Sequence, residues 1–408
     1  MVRIIKRRYD KYVRFFYGRI RLKSSVTPDF NLPTEIFIRQ DIINNIAEIL
    51  KQYGSRAILI MTSNDIEIFH EKALAVASNL KRAGIGCIIY DELPEYPNTE
   101  DIDTAVSFAK KTNCNMIIGF GGIEALNSAK AISLLINNFL FCDSLFSEPE
   151  ISENPVAMIT MPAFPVFGFE IAPLLFLDDI HEGVKKVYHN EILFPKATIV
   201  DPSLSLLVEE SCIMKNTVAS LAIATESVIS RANNDIINTF ALKSIDMIFR
   251  NLPITFKEPQ NPGPRLYLST ASVMSGIAFS VAFLSVTLAT SLALASKTAL
   301  DLESAMGIIL PHIMEFNLTS APGKYVQMSK VMGEDVRDIT VIEAAIKAVE
   351  AIRKLETDID IPQRLSHFEV MKSEFKNIAE TAMKYPFLKN TPRPLNLDEI
   401  ETILIAAF

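Results

Sequence analysis

Strand signals stop halfway along this chain, and that break limits its possible folds more than any other feature. Up to about residue 204, short apolar runs alternate with helical patterns. The runs are AILIMT (57–62), GCIIYDEL (86–93), NMIIGFGG (115–122), VAMITM (156–161) and ATIVDPSL (197–204). Helical periodicity fills the gaps from Asp65 to about Ala83, over 99–112, and from Ile123 onward. Thr99 reads as an N-cap, with Glu100, Asp101 and Asp103 loading the first turn with acid. Strands separated by helices of roughly 10–15 residues build parallel βαβ units. From about Leu206 only helical periodicity remains, broken by loops at 251–265 and 317–325. The expected architecture is α/β plus all-α: an N-terminal Rossmann-like parallel-sheet domain followed by an all-helical C-terminal domain.

Composition removes several classes of function. With 49% hydrophobic and 22% charged residues, the chain of 408 residues is not intrinsically disordered. A net charge of −8 argues against a dedicated nucleic-acid binder. The first 24 residues run the other way, with nine Lys or Arg against Asp10 alone and with Tyr9, Tyr12, Phe15, Phe16 and Tyr17 interleaved. Such an arm can touch nucleic acid or an anionic membrane surface, but with an acidic total it reads first as a solvated extension or a strand packed on a neighbouring subunit. Cys87, Cys114, Cys142 and Cys212 are far apart in sequence, which fits a reducing, cytoplasmic setting. No charge falls between Arg265 and Lys297. About 20 apolar residues span a bilayer, but this run is rich in Ser and Thr, and a buried helix hairpin has the same hydropathy.

The local feature with most chemical content is a strand that enters a glycine cluster and leaves as a helix: Ile118-Gly119-Phe120-Gly121-Gly122-Ile123-Glu124-Ala125-Leu126-Asn127-Ser128-Ala129-Lys130. Such a turn brings backbone N–H groups and the positive end of a helix dipole to a phosphate. Alone it is a weak signal, because any tight βα turn can use glycine.

The segment resembles the GGGSxxDxAK turn of the iron-containing (group III) alcohol dehydrogenases, in the dehydroquinate synthase-like superfamily. Other pieces follow in the family's order. Phe30-Asn31-Leu32-Pro33-Thr34 is similar to its FxxPT, Ile199-Val200-Asp201-Pro202 to its IVDP, Ser275-Gly276-Ile277-Ala278-Phe279 to its AGIAF helix, and Leu310-Pro311-His312 with Asn317 to its LPHxxxxN. The resemblance covers roughly residues 28–400. It implies a basic arm at 1–27, an α/β dinucleotide-binding-like domain at 28–203 and an all-helical domain at 204–408. It also implies a homodimer, an NAD(P) cofactor on the glycine turn, and iron or zinc held by one Asp and three His.

The residues standing at those places do not match that chemistry. The DAxxH helix of the family corresponds to residues 218–226, with Ala219 at the Asp position and Ile223 at the first His. The HAxAH segment corresponds to 288–292, where both His positions hold Leu, and the last ligand position holds Leu302. The five histidines, His70, His181, His189, His312 and His367, do not stand at any of them. At the turn, Gly119, Gly121, Gly122, Asn127 and Lys130 remain as vestigial candidates for cofactor binding. Ile123 and Glu124 replace a glycine and a serine, and an anion beside two phosphate charges opposes binding. The expectation is a pseudoenzyme without catalytic residues, in which iron and zinc are absent, NAD(P) is at most weakly held, and the role is structural, regulatory or binding through a protein partner. The alternative is an active NAD(P)-dependent alcohol or polyol oxidoreductase with a rebuilt, metal-independent site. Nucleic acid and membrane are not expected partners.

Overall fold

The structure is a computed structural model that describes residues 30–147 and 149–408; the basic arm at 1–27 lies outside the described residues. Among the described residues eight strands occur, β1 (Glu35–Ile38), β2 (Arg56–Thr62), β3 (Gly86–Leu93), β4 (Met116–Gly121), β5 (Ala157–Pro162), β6 (Leu174–Asp179), β7 (Val184–His189) and β8 (Ala197–Val200). Six form one sheet in the order β1-β8-β5-β4-β2-β3, every neighbouring pair parallel. The crossovers are helices α1 (Ile46–Leu50), α2 (Ser63–Arg82), α3 (Thr99–Thr112) and α4 (Ile123–Asn137). This is the expected Rossmann-like half.

Period-two alternation sorts the strand residues onto two buried faces. Ala57, Leu59 and Met61 of β2 pack with Phe69, Ala73 and Val76 of α2. Ile58 and Ile60 face the other way, against Ile102 and Ala105 of α3 and Ile132 of α4. Burial on both faces is why these strands read as continuous apolar runs. The N-cap of α3 is Asn98, not Thr99; its side chain accepts from the Asp101 N–H while Asp101 returns the bond. The antiparallel hairpin β6–β7 has no counterpart in the sequence reading.

The second half is helical, as expected: α5 (Glu210–Ile229), α6 (Asp235–Lys257), α7 (Pro262–Ala282), α8 (Val286–Lys297), α9 (Leu302–Asn317), α10 (Pro322–Val331), α11 (Val341–Asp358), α12 (Phe375–Ala382) and α13 (Leu397–Ala407). The charge-free stretch becomes α7 and α8, which meet at 102°. Phe283 makes that corner with φ 37°. Among the described residues α5 alone is long and apolar enough to cross a membrane, and 89% of its apolar window is buried inside the fold.

Sheet and helices share one core. Strand residues such as Ile118 and Ile159 belong to the same packed cluster as Leu221, Leu292 and Ile309. The joint is close: a Cβ on Gly168 would stand 2.3 Å from the Gly276 Cα, so the α7 backbone lies directly on the loop after β5.

Candidate functional site

Topology places the cleft. From the adjacent strands β2 and β4 the chain departs in opposite directions, α2 leading out to β3 and α4 leading across to β5. Where crossovers diverge, a crevice opens beyond the carboxyl ends of the strands. Thr62 ends β2, and Gly121 and Gly122 follow β4 into α4; Thr62, Asp65 and Gly122 all line a cleft of about 560 Å³. Cys212 and Asn216 of α5 and Leu302 and Glu303 of α9 form the facing wall.

The glycine turn already holds a carboxyl group. Asp65, 4% exposed, accepts the Gly122 N–H at 2.8 Å through Oδ1 and the Thr62 hydroxyl at 2.7 Å through Oδ2. Gly121 has φ 139°, and a Cβ there would lie 2.1 Å from the Asp65 carboxyl carbon, so glycine is what lets the acid seat itself. A carboxylate at a helix N-terminus makes the interaction that a phosphate makes there. Burial pushes the Asp65 carboxyl above its ordinary range, opposed by the hydrogen bonds from Thr62 and Gly122.

The other residues of the turn have structural partners. Gly119 permits contact with α4, since its Cβ would fall 2.8 Å from the Ala129 Cβ. Lys130 is fully buried, and its ammonium donates to the carbonyls of Phe169 (2.7 Å), Ala172 (2.9 Å) and Leu174 (2.8 Å). All three of its hydrogens are thereby used. Asn127 is fully buried with neither side-chain polar atom hydrogen-bonded, and it does not line the cleft. Of the five vestigial candidates, Gly122 alone lines it.

The cleft is acidic. Asp65, Glu95, Glu124, Asp178, Asp301 and Glu303 line it, and Lys185 is its only cationic residue among those described. Lys185 pairs with Asp178 at 2.9 Å. Asp301 pairs with Lys215 at 3.1 Å and caps α9 through the Ser304 N–H. Burial pushes Glu124 up to about 7, with Lys185 opposing and Asp178, Glu303 and Asp65 reinforcing the rise. Burial likewise pushes Glu303 up to about 7.

The chain matches the model of iron-containing alcohol dehydrogenases over residues 33–202 and that of the C-terminal domain of Fe-containing alcohol dehydrogenases over 214–408. This chain belongs to the iron-containing alcohol dehydrogenase family. It is 26% identical to a 1,3-propanediol dehydrogenase of Citrobacter freundii, covering 93% of this chain and 98% of that relative. An NAD-dependent methanol dehydrogenase of Bacillus methanolicus is 23% identical, with 92% and 98% covered. A solved 1,3-propanediol oxidoreductase superposes with a TM-score of 0.88 at 25% identity, covering 93% of this chain and 99% of that one.

The four residues that the sequence resemblance sets at metal-ligand positions are side chains of the core. Ala219, Ile223 and Leu288 are fully buried and Leu302 is 7% exposed, all in the single cluster that joins the two halves. None of the five histidines lines the cleft. His312 is held near 4 by burial and by Arg353, with Glu315 opposing, and His189 lies against the Phe283 ring at 4.2 Å. Cys212, the one thiol in the cleft, is pushed up to about 12 by burial and Glu303, so it stays protonated.

Sequence reasoning located the turn and the anion at Glu124. It missed Asp65, Asn216, Glu303 and Lys185. For Asp65 a signal existed: Thr62 and Asp65 have capping-box spacing directly after a strand. For the others there was none, because they come from elements whose approach is not written in local pattern.

Proposed function

We propose that this family member has kept the fold without metal-assisted hydride transfer, and that it acts as a binding protein through the cleft between its halves. The observation that carries the reading is the side-chain chemistry at the four matched positions. Ala219, Ile223, Leu288 and Leu302 offer no lone pair, and a divalent ion among them would lose its hydration without replacement ligands. These residues therefore do not fit iron or zinc.

The turn supports the same reading for NAD(P). A pyrophosphate would have to displace Asp65 from the Gly122 N–H and then sit beside Glu124. We also propose, on family resemblance, a homodimer, checked by light scattering on the purified protein.

The test is calorimetric titration with NADH and NADPH, together with alcohol oxidation assays in the presence and absence of Fe²⁺ and Zn²⁺. The expected outcome is no saturable nucleotide binding and no metal-dependent turnover. Stoichiometric metal in the protein as isolated, with alcohol-dependent NAD(P)H formation, would overturn the proposal.

A further inference from the structure

The acidic side chains of the cleft differ in whether the fold pairs them. Asp178, Asp301 and Asp65 each have partners, and Glu95 hydrogen-bonds with Tyr96. Glu124 and Glu303, from α4 and α9 on opposite walls, form no ion pair among the described residues. Lys185 already reports the resulting field. It is 8% exposed, and burial alone would weaken its protonated form, yet Glu124, Asp178 and Glu303 hold its pKa above the ordinary value. An ammonium is thus stabilised in this cleft despite losing water.

A second observation points to a hydrogen-bond donor. Asn216, on α5, is 5% exposed and lines the same cleft. Its Nδ2 donates to the Cys212 carbonyl at 3.0 Å, but its Oδ1 has no partner. A buried acceptor of this kind calls for an N–H or O–H. Two carboxylates and an amide oxygen are all acceptors, and a primary ammonium offers three donors and no acceptor.

The shape of the ligand follows from the placement of the two carboxyls on different walls. Among the described residues no three His, Cys, Asp or Glu converge closely enough to coordinate a metal ion. A point charge therefore has no cage here, whereas a chain with separated charges can meet carboxylates on both walls. Ala295, Ala299, Leu300 and Leu302 supply apolar lining for methylene groups between them. Tyr96, 58% exposed at the cleft, has its ring 5.9 Å from the Lys185 ammonium and presents a face that cations favour.

We propose that the cleft binds a small aliphatic polyamine, its ammonium groups paired with Glu124 and Glu303 and one N–H donated to Asn216 Oδ1. The proposal names the ligand class for the binding role assigned above to the same cleft.

The experiment is isothermal titration of the full-length protein at about 0.15 M salt, where exposed charge pairs are largely screened. The probes are spermidine and 1,4-diaminobutane, with 1,4-butanediol, succinate and Mg²⁺ as comparison ligands. Saturable binding of the amines is expected, with none of the diol or the diacid. Glu124→Gln and Glu303→Gln should each weaken spermidine at least tenfold, and Asn216→Leu severalfold, while Asp335→Asn, a surface carboxylate paired with Arg337, should change nothing. Circular dichroism and Tm establish that each variant is folded; the two Gln variants are isosteric and lie on different helices, so either one tests the site alone.

Absence of amine binding overturns the inference, as does spermidine binding by either Gln variant as tight as the wild type's, or diol or Mg²⁺ binding as tight as the amine's. Loss of amine binding with nucleotide still excluded removes this inference alone. Metal-dependent turnover with NAD(P) removes the proposed function instead.

Discussion

At the residue scale, Glu124 places charge where the fold has little water to solvate it. Its carboxyl is held near 7 against an ordinary value of 4.5, first by burial, with Lys185 opposing and Asp178, Glu303 and Asp65 adding to the rise. The linkage has a definite sign. The folded value exceeds the unfolded one, so the favourable contribution is complete below about 4.5 and is lost as pH rises through about 7. Each pH unit between the two values is worth about 1.4 kcal/mol, and partial exposure of the side chain reduces the sum to about 2 kcal/mol. Glu124→Gln should match the wild type in stability near pH 4 and exceed it by about that amount at pH 8, read from denaturant titrations across pH. A difference that stays flat with pH would place this carboxyl in bulk solvent. Glu124 was legible as an anion at a phosphate position because it lies inside the turn. Asp65 was not, since its bond to Gly122 joins residues 57 apart in sequence.

At the element scale, a second buried carboxylate decides where α8 begins. Glu226, 1% exposed on α5, accepts from the Ser285 hydroxyl (2.6 Å) and from the N–H groups of Val286 (2.7 Å) and Thr287 (3.1 Å). Three donors at one helix start are satisfied by one side chain from another helix. Glu226→Ala leaves them unpaired in a dry interior and should cost about 2–4 kcal/mol, seen as a lower denaturation midpoint. Glu226→Gln, which retains an acceptor oxygen, should lose less than half of that; equal losses for both would show that volume rather than hydrogen bonding matters here. The same contact explains the charge-free stretch. Its hydropathy is that of a membrane span, but Phe283 and the Glu226 cap break it into two helices at 102°. Hydropathy records how apolar a segment is and carries no information about a corner made by a residue 59 positions away. The β6–β7 hairpin escaped for a related reason. VKKVYH in β7 breaks the apolar run with two lysines, one of which, Lys185, is buried beside cleft carboxylates that include its cross-strand partner Asp178.

At the scale of the whole molecule, the α/β half and the helical half share one large core cluster, while the other face of the sheet packs a second cluster of its own. One cluster runs from Ile118 in the sheet to Leu404 in α13, and Gly168 and Gly276 bring the two backbones into contact. Calorimetry should therefore show a single unfolding transition with equal calorimetric and van't Hoff enthalpies; two separated transitions would mean that the halves are independent units despite the shared cluster. By itself the sequence determined the class and order of the elements, because hydrophobic period and turn chemistry are local properties. Through the resemblance it also suggested Ala219, Ile223, Leu288 and Leu302 for the family's metal-ligand positions, the matching on which the proposed function rests. Only the tertiary structure decided what the cleft is. Asp65, Glu124, Lys185, Asn216 and Glu303 come from five different elements, and their pKa values, pairing and accessibility depend on which walls the shared core draws together.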